Sequence, residues 1–242
     1  ETPRPGRTER RPRVILIGLD GIGRRLLYDM LRRGELPGMA RLLGSPDGHS
    51  FPTTHFDETM LAALPSVTAP GWASVFSGAV PADSGVPGNE FFLRGGLDGQ
   101  SAPEFVAPVP TSFADWHPLV RNYVDGYTDR LLMVPTVFER LRIDEPQLRI
   151  WVSMAPFVRG ADRLLVADRW VIPSAIAGYL GWRAGWSEIG LYSALDRAAI
   201  RLLLDQLELD VPLPDVLALY LAGSDTYAHD APSGPDHARW RY

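Results

Sequence analysis

Short continuous apolar runs alternate along this chain with longer segments whose apolar residues recur at helical spacing. The first run, VILIGLD (residues 14–20), ends in Gly-Leu-Asp. This pattern predicts a buried parallel strand with an acid at its carboxyl end. GIGRRLLYDMLRRGEL then sets Leu26, Leu27, Met30 and Leu31 at helical spacing and stops at Gly34, and PGMARLL predicts a second short helix from Pro37. Residues 44–64 mix Gly, Ser, Pro, Asp and Thr and read as a loop. A helix follows Thr68, with Pro70 in its first turn, WASVF continuing it and Gly78 ending it.

Residues 94–130, rich in Gly, Pro and aromatics with weak periodicity, read as a cap-like surface excursion. PTVFERLRI (135–143) predicts a helix and LRIWVSM (148–154) a strand, whereas 156–187 fit neither pattern. Ile189 to Leu207 carries the strongest helical pattern, and PDVLALYLAG (214–223) is a second buried strand by its apolar run. Strands alternating with helices predict an α/β fold, with a mostly parallel central sheet flanked by helices, in a single domain over 14–242. The polar, Pro-rich, basic leader 1–13 is expected to be disordered.

In such sheets ligands gather at the carboxyl ends of the strands. Asp20 closes the first strand, and Asp225 follows the last with only Ser224 after Gly223. The strand assignments alone thus place two acids, distant in sequence, on one edge of one sheet.

Composition narrows the chemistry. A net charge of −5 argues against a binder of nucleic-acid polymers. The chain has no Cys, which excludes disulfides, thiol catalysis and Cys-ligated zinc. All 24 basic residues are Arg, which reads as coding bias of a GC-rich, bacterial genome and secondarily suits phosphate handling. No apolar run reaches the ~18 residues of a membrane span.

GLDGIG invites comparison with a dinucleotide fingerprint, but its glycines follow GxxGxG rather than GxGxxG. An Asp inside that turn would also repel a pyrophosphate, so Asp20 reads better as a metal ligand. Asp225 and His229 stand four residues apart; on a helical turn both project to one side, with an oxygen and a nitrogen suited to a divalent ion. Thr68 has three possible roles: a helix N-cap, an ordinary loop residue, or a nucleophile. A helix start favours anions in any case. Asn89, 21 residues later, could hold a phosphoryl oxygen.

PSVTAPGWASVFSG with SGVPGNEFF after it, VILIGLDGIG before it and LALYLAGSDTYAH later resemble, in the right order, the type I phosphodiesterase/nucleotide pyrophosphatase branch of the alkaline phosphatase superfamily. The resemblance implies a site of two divalent metal ions, usually zinc, acting on a small-molecule phosphate ester. Asp20 would bind one ion; Thr68 would bind the same ion and attack phosphorus, forming a phospho-threonine. Asn89 would hold a non-bridging oxygen. Asp225 and His229 would bind the second ion. A secreted or periplasmic setting is expected from the same resemblance and from the absence of an initiator Met.

The chain departs from the pattern in two respects. The family site uses a further Asp-His pair after a later strand and a further His, which do not appear before Tyr242; Asp236-His237 follows SGP rather than an apolar strand. The chain therefore reads as the N-terminal part of a longer enzyme. Ala69 stands where an aromatic often stacks on a nucleotide base, which leaves Phe91, Phe92, Trp116, Tyr123 and Tyr127 as sources of a stacking face. His49, His55 and His117 are read as bystanders. The leading expectation is a metal-dependent phosphate-ester hydrolase favouring phosphodiesters. Its rivals are a phosphomonoesterase or phosphonate hydrolase and, in another class, a non-catalytic α/β binding domain without a complete metal site.

Overall fold

The computed structural model describes residues 14–109, 127–153, 155–165, 188–209, 212–230 and 233. The leader, the middle of the cap-like excursion, the Trp-rich stretch around Trp170, Trp182 and Trp186, and Asp236-His237 lie outside the described residues.

A four-stranded parallel sheet runs in the order β1 (Val14–Leu19), β6 (Val216–Leu221), β4 (Ile150–Ser153), β5 (Arg163–Leu164). β1 and β6 pair in register from Val14↔Val216 to Leu19↔Leu221, so both reach the same end of the sheet together. The expected α/β architecture is present. The burial expected of β1 is only partly met: Gly18 is buried, but Val14, Ile15 and Ile17 are 53%, 54% and 38% exposed. The reason is position, since among the described strands β1 has a neighbour on one side alone.

Alternation along β4 and β6 sorts their side chains onto two faces. Ile150, Val152, Val216, Ala218 and Tyr220 join the larger core, with Ala69, Ala73 and Phe76 of α3 (Thr68–Ser77) and Phe138 of α6 (Val137–Asp144). Trp151 and Leu217 face the other way, onto Leu203 of α7 (Glu188–Glu208). The sheet is thus sandwiched between helices. α1 (Arg24–Arg32) and α2 (Pro37–Leu42) follow β1 as the periodicity predicts. Two short helices are α4 (Pro81–Ser84) and α5 (Tyr127–Leu131), the latter adding Leu131 to the larger core.

β2 (Phe91–Leu93), just before the cap-like excursion, and β3 (Glu104–Val106), within it, form an antiparallel hairpin. Phe91, Leu93 and Val106 turn to the core, while the paired Phe92 and Phe105 are 70% and 51% exposed.

Candidate active site

Asp20 sits in the turn after β1. Its backbone N–H continues the ladder to Leu221 O (3.0 Å), and its carbonyl accepts the Ser224 hydroxyl (2.5 Å). Asp20 Oδ1 accepts the Gly21 N–H at 2.9 Å, and Oδ2 accepts the phenolic O–H of Tyr220. The carboxylate is therefore fixed from two sides. Gly21 lies at φ +70°, and a Cβ there would fall 2.4 Å from the Asp225 Cα. That close approach draws the turn after β1 against the segment that follows β6.

This segment is the helix α8 (Gly223–Asp230). Asp196 of α7 accepts the N–H groups of Ala222 and Gly223 at 3.1–3.2 Å, capping its start. The expected helical turn is present, and it carries both Asp225 and His229. Asp225 is half-buried, whereas the His229 side chain is 75% exposed, with its Nε2 3.6 Å from Asp225 Oδ2. Burial first, and then the Asp20 charge, push the Asp225 carboxyl above its ordinary value, while His229 pulls it back. Among the described residues no arginine pairs with either acid.

At the start of α3 the N-cap is Val67, and no side chain caps the helix there. Thr68 is the first helical residue, so the N-cap alternative does not hold. Its hydroxyl makes no hydrogen bond to a described residue. The Ala69 N–H is taken by the Asn89 side-chain oxygen at 2.8 Å, Pro70 has no N–H, and Gly71 donates to Val67 O at 3.0 Å. The N–H of Thr68 is thus the one first-turn donor without a described partner. With its oxygen on Ala69, Asn89 keeps its amide hydrogens for another acceptor.

The structure therefore assembles the sequence candidates as two groups: Asp20 with Asp225 and His229, and Thr68 with Asn89. Trp72 links them. One turn on from Thr68, its ring lies edge-on to Tyr220 (centroids 4.9 Å, 86°) and over Gly18. Tyr220 itself escaped sequence reasoning, because a tyrosine in an apolar run reads as core.

Among the described residues no group of three or more His, Asp or Glu side chains is arranged to hold a metal ion. In kind, the donors still suit a divalent cation. Two neighbouring carboxylates without a guanidinium create the charge that such an ion offsets. Ala69 is 1% exposed and faces the core, so position 69 offers no stacking surface. Of the other aromatics considered, Phe91 turns inward and Phe92 outward; Trp116, Tyr123 and the Tyr127 side chain lie outside the description. His49 is held in the loop after α2, with its Nδ1 3.3 Å from Arg32 O and its N–H donated to Asp47.

A model of the type I phosphodiesterase/nucleotide pyrophosphatase family matches residues 14–241. The chain belongs to this family. Type I phosphodiesterases and nucleotide pyrophosphatases are hydrolases, generally metal-dependent, and small-molecule phosphate esters fit as their substrates. No curated protein was found to match the chain. Among the described residues no helix is long and apolar enough to cross a membrane.

Proposed function

We propose that this family member hydrolyses phosphodiesters with metal dependence, through a phospho-threonine on Thr68. The observation that carries this reading is the uncommitted Thr68 hydroxyl at the start of α3, beside an Asn89 carboxamide already anchored on Ala69 N–H. Hydroxyls at helix starts usually cap, and this one does not. It lies instead where two kinds of donor, the Thr68 N–H and the Asn89 amide hydrogens, can receive a phosphoryl oxygen.

Thr68 Oγ would form a bond to phosphorus as the ester bond to the departing alcohol breaks, and the alcohol would leave with a proton. Water would then cleave the Thr68–phosphorus linkage, restoring the hydroxyl and releasing the phosphate monoester. The non-bridging oxygens would be held by Asn89 and the Thr68 N–H. Asp20, Asp225 and His229 are the residues that would hold divalent metal, with zinc the first choice. Such ions, when bound, supply charge neutralisation and nucleophile activation.

The test is hydrolysis of paired chromogenic diester and monoester substrates with zinc present and after chelation. Thr68→Ala should lower diester turnover by at least about 10³-fold, and Thr68→Ser should retain part of it. Full activity in Thr68→Ala overturns the nucleophile assignment, and unchanged activity after complete metal removal overturns the metal dependence. Preference for the monoester would move the reading to a phosphomonoesterase.

A further inference from the structure

We propose that Tyr220 and Trp72 are positioning residues that hold the metal-binding carboxylate and the nucleophile helix in one register. The inference rests on the metal-dependent reading above and assigns a role to residues outside its chemistry. Tyr220 is 5% exposed on β6, opposite Gly18 in the β1–β6 register. Its hydroxyl crosses to the neighbouring strand's end and donates to Asp20 Oδ2. A phenol donating to a carboxylate makes a charge-assisted bond, short and directional. With the Gly21 N–H on Oδ1, it fixes the carboxylate plane and leaves lone pairs on both oxygens.

Trp72 provides the second contact. A Cβ on Gly18 would lie 2.7 Å from Trp72 Cη2 and 2.8 Å from Cζ3, so the indole fills the place of a side chain at position 18. The same indole meets Tyr220 edge-on, the arrangement that aromatic quadrupoles favour. Trp72 and Thr68 are four residues apart and share a face of α3. One aromatic pair thus touches the strand that leads into Asp20, orients the Asp20 carboxylate, and seats the face of the helix that begins with Thr68. An error in either placement would separate the nucleophile from the carboxylate. Outer partners of a metal ligand typically change affinity or activity by about 10- to 100-fold.

The test uses the full chain, stripped of metal and titrated calorimetrically with zinc alone, beside diester turnover and thermal melting. Tyr220→Phe keeps the ring and removes only the hydroxyl. It should lower zinc affinity by about 10- to 100-fold while secondary structure by circular dichroism is kept. Trp72→Phe should leave zinc affinity within about threefold and lower kcat by about tenfold or more with little change in KM. A purely structural role would move the melting temperature and leave zinc affinity unchanged in Tyr220→Phe. That result, with wild-type zinc binding intact, overturns the inference alone. A wild-type chain that takes up no zinc overturns the metal-dependent reading as well. Should Tyr220→Phe fail to fold, Gly18→Ala provides the second variant: displacing the indole should reproduce the loss of kcat, and an unchanged kcat overturns the Trp72 assignment.

Discussion

Burial raises a carboxyl above its ordinary value in two regions of this molecule, and the regions surround it with different partners. Asp129, 8% exposed in α5, stands beside backbone donors and a guanidinium. Its Oδ1 accepts the N–H groups of Val158 and Arg159 at 2.7 and 3.2 Å. The Arg159 guanidinium meets Glu139 Oε2 (3.2 Å) and the carbonyls of Asp129, Leu132 and Val134 (2.6–3.0 Å). Glu139 also closes the Thr136 capping box that starts α6. At the carboxyl ends of β1 and β6, by contrast, Asp20 and Asp225 stand near each other with a phenol, the single backbone N–H of Gly21 and an exposed imidazole, and no guanidinium among the described residues. The first region is a closed structural clasp. The second brings two carboxylates together without a guanidinium among the described residues, the charge arrangement that the proposed metal site would need.

The contrast is broken most directly at Asp225. Asp225→Asn should abolish turnover and weaken zinc binding by at least about 100-fold, beyond the loss typical of an outer partner. The same substitution relieves the repulsion with Asp20, so the metal-stripped protein should melt roughly 1–3 °C higher. Melting curves with and without zinc check both signs, and a lower metal-free melting point would show that Asp225 is a structural carboxylate like Asp129.

The clasp should respond the other way. Asp129→Ala leaves the Val158 and Arg159 N–H groups without their acceptor and should cost about 2–3 kcal/mol in urea unfolding. Zinc affinity should stay at the wild-type value; a large loss would merge the two regions into one functional unit.

The smallest effect lies in pH dependence. Burial pushes the Asp129 carboxyl above its ordinary value, against the pull of the Val158 and Arg159 N–H groups and the Arg159 charge. The native state therefore holds the proton more tightly than the unfolded chain. This contribution to stability is complete below the unfolded carboxylate value and fades as pH rises through the folded one. Wild type should thus gain on Asp129→Asn as pH falls from 7 to 4, by on the order of 1 kcal/mol or less. Urea midpoints for both proteins across that range measure it, and a difference independent of pH would remove the burial argument.

Much of the scaffold was legible from periodicity. The apolar runs that became β1, β4 and β6, the Pro70 in the first turn of α3 and the Gly78 that ends it, and the placement of Asp20 and Asp225 at one end of the sheet all followed from pattern alone. The hairpin within 91–106 was hidden because aromatics stand on both of its faces: Phe91 packs inward and Phe92 outward, so no polar alternation marks the strands. β5 is two residues long and owes its existence to pairing with Trp151 and Val152, which local sequence does not encode. At the site, Thr68 and Asn89 were visible as residues, but the bond from Ala69 N–H to Asn89 is tertiary and no spacing rule reveals it. Tyr220 escaped for the same reason, since its partner Asp20 is 200 residues away.

The start of α3 has a spectroscopic consequence. Pro70 contributes no amide, Ala69 is occupied by Asn89, and Gly71 is bonded within the helix, so this turn has a single backbone amide with no described acceptor. In a nitrogen-15 spectrum the Thr68 resonance becomes a built-in indicator of occupancy. It should shift downfield and exchange more slowly with solvent deuterium when an oxyanion settles there, while its Ala69 neighbour scarcely changes.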